Sequence, residues 1–146
     1  MNARVVRRAE ADDIEAIVAL AATRRYAAKW PARELQHEFD RLDSLFIVGD
    51  EDGAVRGYAL ARVVEMDCRL LDLAAAADGG GWGRALMAAL ALTAKARGCA
   101  KISFEVSAAN ERALAFYAKA GARVVGSRPK FYYDGSDAVL MDLDIP

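Results

Sequence analysis

The residues with chemistry to offer are concentrated in the middle and second half of the sequence. An apolar run, residues 70–77, leads without a spacer into Asp78-Gly79-Gly80-Gly81-Trp82-Gly83, and a helical pattern opens at Arg84. A strand, a glycine cluster and a helix start in that order make an anion site. The first N–H groups of a helix have no partner within it and converge on whatever lies before them. Glycines let the main chain approach an anion closely and accept positive φ. The pattern predicts a phosphate-bearing ligand; the competing reading is a strand–helix turn that binds nothing. Further on, residues 101–107 alternate, with Ile102, Phe104 and Val106 on one face and Ser103 and Glu105 on the other. On spacing alone Glu105 is an outward polar group. A helix then begins near Asn110, a residue type that caps helices. It carries Ala113, Leu114, Phe116 and Tyr117, where Tyr117 reads as core, and stops at Gly121.

Other chemistries are poorly supplied. His37 is the single histidine, and it lies off the stripe formed by Leu35, Phe39 and Leu42, so it reads as surface. The two cysteines, Cys68 and Cys99, stand in apolar runs with no metal-ligand spacing. They read as small core residues in a reducing compartment. A zinc site or a histidine-based triad is therefore not expected, nor is any metal. The formal net charge of −1 gives no basic field for nucleic acid. The apolar runs are too short to span a bilayer, and the first residues lack a signal-peptide core. A cytoplasmic protein without membrane contact is expected. The 146 residues, 55% hydrophobic, suit one domain over 1–146 with a full core.

The elements that must hold these groups follow in chain order. Residues 3–8 suit a first strand. Glu10-Ala11-Asp12-Asp13 is an acidic helix start, favourable against the helix dipole, and Ile14, Ile17, Val18, Ala21 and Ala22 follow at helical spacing. Pro31 fits the first turn of a second helix. Residues 45–49 form a short buried strand, Asp52-Gly53 a tight turn, and 55–64 a strand with Gly57 beside a bulge. A strand over 68–77 feeds the glycine cluster, a helix runs from 84 to about 97, and Gly98 stops it. Strands over 123–126 and 138–143 close the chain around a loop with Phe131, Tyr132 and Tyr133. Strands and helices alternate and one crossover helix joins parallel strands, which predicts an α/β or α+β single sheet.

Taken together, Gly83-Arg84-Ala85-Leu86, Phe104-Glu105-Val106 and the run from Asn110 through Ala113, Tyr117 and Lys119 to Gly121 resemble the GNAT acyltransferases. The closest likeness is to the RimI-like ribosomal-protein-alanine N-acetyltransferases, and the tail from Arg128 to Met141 and the placing of Trp30 share it. The resemblance implies the GNAT fold: a mixed sheet of about seven strands, splayed between two parallel ones and flanked by about four helices. It implies acetyl-CoA as cosubstrate, with the pantetheine paired like a strand against Leu73, Ala74 and Ala75. The pyrophosphate then rests on Gly79, Gly80, Gly81, Trp82, Gly83 and Arg84, and Asn110 touches the coenzyme. Glu105 is implied as general base and Tyr117 as the acid that protonates the leaving thiolate. This matches the needs of the reaction, in which an ammonium must lose a proton before attacking a thioester. Tyr26, Phe131 and Tyr132 are implied on the acceptor side, and the acceptor is a protein N-terminal α-amine or a small amine. The reading requires a thioester in the cleft to lie across from both Glu105 and Tyr117, with the two side chains on one side of the sheet, and it leaves monomer or homodimer open.

Some residues depart from the family pattern. Asp78 stands where the family's loop usually opens with Arg or Gln; a solvated carboxylate beside a pyrophosphate is unfavourable by roughly 1 kcal/mol. Ala122 replaces an aromatic residue after Gly121. Weakened but detectable acetyl-CoA binding is expected. The alternative reading is a non-catalytic CoA-binding module on the same fold. A nucleotide-binding domain is disfavoured, because the Lys-Ser/Thr of a phosphate loop and the spaced Rossmann glycines are absent.

Overall fold

A computed structural model describes residues 3–77 and 80–146. Its strands form one mixed sheet in the order β1-β2-β3-β4-β5-β7-β6. These are β1 (Arg4–Arg8), β2 (Ser44–Glu51), β3 (Ala54–Val64), β4 (Asp67–Ala75), β5 (Lys101–Ser107), β6 (Arg123–Arg128) and β7 (Ala138–Asp144). The helices are α1 (Ile14–Ala22), α2 (Ala32–Glu38), α3 (Trp82–Ala96) and α4 (Glu111–Lys119). A 3-10 turn at Ala11–Asp13 precedes α1, and Glu10 and Asp13 cap it reciprocally. Neighbouring strands run antiparallel except β4 and β5, which α3 joins as a crossover.

The sheet buries a core on each face. Ile14, Ile17 and Ala21 of α1 and Leu35 of α2 pack on Phe46, Tyr58 and Leu60. Leu86, Leu90 and Ala94 of α3 pack on the other face against Ala59, Ile102 and Phe104, and Tyr117 of α4 belongs to this second cluster. Cys68 and Cys99 are free, buried thiols; burial pushes the Cys68 thiol up to about 12, with the charge of Cys99 adding to it. His37 is exposed. Leu42 is 93% exposed and does not share the buried face of Leu35, because α2 ends at Glu38 before its spacing can bring Leu42 inward.

Two departures from regular pairing shape the cleft. β4 and β5 pair only over Asp67–Arg69 and Lys101–Ser103. Beyond those residues β4 keeps only β3 and β5 keeps only β7, so the sheet is open between them. Just past the last pairing β4 carries a bulge: Leu60 faces Asp72 and Ala61 faces Leu70, leaving Leu71 as the extra residue. An extra residue reverses which side chains reach which face. Cys68 and Leu70 point into the α3 core, whereas Ala74 points into the α1–α2 core.

Candidate active site

The helix that follows the glycine cluster starts at Trp82, two residues earlier than its apolar spacing predicts. Gly81 is its N-cap with φ 75, and Gly80 has φ 95. Both lie where a Cβ is disfavoured, so glycine is required. Among the described residues no side chain caps this end, and its first turn holds no acidic residue. The leading amides of a 15-residue helix and its positive end are therefore free to receive an anion beside the open end of β4. Arg84 is exposed one turn in and adds a cation. Asp78 and Gly79 lie outside the described residues. The fit of a diphosphate-bearing coenzyme rests on these amides and on the unpaired edge of β4 at Leu73, Ala74 and Ala75.

The Trp82 side chain packs inward, away from solvent. Its indole is 3% exposed, and a Cβ on Gly49 of β2 would come within 2.4 Å of it. The Arg4 guanidinium covers the ring at 4.2 Å and also bonds the Gly80 carbonyl. The glycine loop is thus fastened to β1 and β2. Gly83 marks the close approach of α3 to α4, since a Cβ there would stand 3.3 Å from the Phe116 ring. Asn110 is the N-cap of α4, its Oδ1 accepting the Ala113 N–H at 3.2 Å.

Glu105 and Tyr117 do not stand on one face. Phe104 and Val106 of β5 point into the α3 core, so Glu105 leaves the strand on the α1–α2 face. Tyr117 packs in the α3 core, 4.3 Å from the Phe104 ring and 5.1 Å from Phe116. The two share no hydrogen bond. They are connected only through the opening between β4 and β5. Burial pushes the Tyr117 phenol up, and the negative charge of Asp72 adds to that. Glu105 is 24% exposed at its side chain, with the Arg128 guanidinium 3.8 Å away. The Tyr132 phenol is pushed up by burial, then by the charges of Glu105 and Asp134.

The α1–α2 and β6–β7 loops flank this side. Tyr26, 40% exposed, donates its hydroxyl to the Ala109 carbonyl at 3.2 Å, joining the α1–α2 loop to the start of α4. Phe131 stands edge-on to Tyr132 at 5.0 Å and carries Arg128 over its ring at 5.7 Å. Tyr133 is fully exposed. Asp137 has a structural role, accepting the Lys130 N–H at 2.9 Å to close the loop.

Spacing misses Asp72. In Leu70-Leu71-Asp72-Leu73 it reads as an isolated polar residue in a strand, and the bulge that turns it inward leaves no mark on the periodicity. It is 7% exposed on the wall of the opening. The Tyr58 hydroxyl donates to its Oδ2 at 2.6 Å and the Ala28 N–H to its Oδ1 at 3.2 Å. Burial pushes its carboxyl above the usual range, against the Tyr58 and Ala28 hydrogen bonds, which lower it. Among the described residues no cluster of His, Cys, Asp and Glu is placed to hold a metal, and no helix is long and apolar enough to cross a membrane.

Comparison with known proteins agrees with this arrangement. The model of the Acetyltransferase (GNAT) family matches residues 12–122. A candidate [ribosomal protein bS18]-alanine N-acetyltransferase of Bacillus subtilis (strain 168) is 26% identical over 140 residues, spanning 93% of this chain and 92% of the relative. The crystal structure of the ribosomal-protein-S18-alanine N-acetyltransferase from Escherichia coli superposes with a TM-score of 0.86 at 27% identity, over 98% of this chain and 94% of that one. A PaiA N-acetyltransferase from Thermoplasma acidophilum, solved with coenzyme A, shares the fold at a TM-score of 0.84 and 21% identity, over 97% and 99% of the two chains. With a sheet that opens between its parallel strands and a bare helix N-terminus beside the opening, the chain belongs to the GNAT acetyltransferase family and is an acetyl-CoA-dependent N-acetyltransferase.

Proposed function

We propose that the acceptor is a protein N-terminal α-amine, of the ribosomal-protein class named for the Bacillus and Escherichia relatives, and that the reaction runs through the sheet. The observation that carries this reading is the short β4–β5 ladder, which leaves an opening with Glu105 on one face and Tyr117 on the other. Acetyl-CoA supplies an activated acyl group and a thiolate leaving group. Its pantetheine pairs with the main chain of Leu73 to Ala75, and its diphosphate lies on the amides from Gly80 to Arg84 with Asn110 beside it. Glu105 takes a proton from the ammonium, directly or through a water. The amine attacks the thioester carbonyl, the C–S bond breaks as the Tyr117 O–H protonates the departing sulfur, and the second proton on nitrogen is released while Tyr117 is reprotonated from solvent. A phenol pushed up by burial stays protonated through the neutral range and is an acid rather than a base. Tyr26, Phe131 and Tyr132 flank the peptide's path. No protein nucleophile is needed, in keeping with two buried thiols, which also suit a cytoplasmic setting.

The test is transfer to peptides with varied free N-termini and to small amines, followed as release of free CoA thiol. Glu105→Gln and Tyr117→Phe are each expected to lower kcat by about 10²-fold or more while acetyl-CoA affinity holds. Undiminished transfer in both variants overturns the acid–base assignment. Calorimetric binding of acetyl-CoA with no thiol release from any amine points instead to a non-catalytic coenzyme-binding module.

A further inference from the structure

Four carboxylates in the described chain are buried: Asp13, Glu38, Asp72 and Asp142. Asp13 pairs with Arg7 at 2.8 Å, Glu38 with Arg62 at 2.5 Å and Asp142 with Lys101 at 3.2 Å. Asp72 has no cation within ion-pair distance among the described residues. The cation whose charge acts on it, Lys29, gives its Nζ to the carbonyls of Ala21 and Arg24. A carboxylate taken out of water without a counter-ion is expensive, and buried charges are as a rule paired. The site is also built to hold that charge in one orientation. Tyr58 and Ala28 each donate to a different oxygen, fixing the plane of the group. A carboxylate has about four acceptor positions, more than the Tyr58, Ala28 and Leu73 donors fill.

The position of this unpaired anion is specific. Asp72 follows the bulge at Leu71 and shares with Tyr58 the α1–α2 face of the sheet. Glu105 leaves β5 on that same face, on the other side of the opening. We propose that Asp72 is the counter-ion of the acceptor: the amine arrives protonated, seats its ammonium on the free positions of the Asp72 carboxylate, and is held there while Glu105 takes one of its protons. This rests on the N-acetyltransferase reading and assigns the two carboxylates different work, Asp72 binding and Glu105 accepting the proton. It makes the site selective for acceptors that carry a cation at the reacting nitrogen, because a neutral hydroxyl acceptor leaves the buried charge uncompensated.

The direct measurement is on Asp72 itself. In the full chain with CoA bound, the γ-carboxyl ¹³C signal of Asp72 is titrated with and without alaninamide, a small α-ammonium that mimics a peptide N-terminus. The other groups facing this carboxyl are Tyr58 on β3, Lys29 on the α1–α2 loop, Tyr117 on α4 and Glu105 on β5, and all are the same in both titrations. An ammonium seated on Asp72 lowers its midpoint by about one unit or more; an unmoved midpoint overturns the proposal. The kinetic counterpart is Asp72→Asn, expected to raise KM for a peptide acceptor about 30-fold or more with acetyl-CoA affinity held within about twofold. Asp72→Glu, which retains the charge, is expected to recover part of that loss. An Asn variant with unchanged acceptor KM overturns the proposal, as does a loss confined to kcat, which marks Asp72 as acting through Tyr117. If wild type transfers acetyl to no amine while alaninamide still shifts the Asp72 midpoint, the acyl-transfer assignment fails and the ammonium seat stands.

Discussion

Glu105 and Asp72 leave neighbouring strands on the same face, yet their surroundings differ. Glu105 keeps access to water and an arginine at 3.8 Å, whereas Asp72 is closed in by Tyr58 and the α1–α2 loop. Pairs of carboxylates placed in unlike environments are the usual basis for a division of roles. Burial raises the folded-state pKa of Asp72 above its unfolded value. The stability contributed by this carboxyl is therefore present in full below the unfolded value and lost as pH rises through the folded one. At neutral pH the charge is a burden on the fold. An Asn side chain accepts from Ala28, and the Tyr58 hydroxyl can turn to accept from its amide. The Tm of Asp72→Asn is expected to equal or exceed that of the parent near neutral pH, and the advantage to shrink toward about pH 4 as the parent's carboxyl takes up its proton. Thermal melts of the two chains across that range check this; a variant markedly less stable at neutral pH counts against it. With the family resemblance added, Glu105 and Asn110 were legible as candidates, though spacing alone gave only an outward polar residue and a helix cap. Asp72 was not, because its meaning depends on a one-residue bulge and on the lack of a nearby cation, and neither is a property of the local sequence.

At the scale of elements, period-2 alternation located β5, and apolar spacing with glycine stops located α3 and α4 to within a few residues. The α3 start was misjudged because Trp82 looks like part of a loop when its partners are distant in sequence. Those partners are Gly49 on β2 and Arg4 on β1. The absence of a side chain at Gly49 admits the indole, and the indole in turn sets where the first helical turn begins. Gly49→Ala is expected to cost about 1–3 kcal/mol through overpacking. It is also expected to weaken acetyl-CoA binding, since displacing Trp82 moves the amides on which a diphosphate rests. Urea unfolding and calorimetric titration separate these effects; a variant that loses stability but binds acetyl-CoA as the parent does removes the link between Trp82 and the loop.

At the scale of the molecule, the sheet is two antiparallel halves, β1–β4 and β5–β7, with a short parallel ladder and α3 between them. The alternation of strands and helices made a single mixed sheet legible, but no pattern in the sequence reports how far two strands stay paired. That length has a consequence for main-chain protection. On β4 past Arg69 and on β5 past Ser103, every second amide points away from its remaining neighbour strand into the opening and has no ladder bond there. Deuterium uptake in the free protein is expected to be fast and slow by turns along these segments, while β3, paired on both sides, stays uniformly slow. A coenzyme lying along β4 takes the place of the absent strand, so the fast positions of Leu73 to Ala75 should become slow when it binds, and those of β5 should change less. Equal slowing on both strands, or none on β4, would mean that the coenzyme lies elsewhere in the opening.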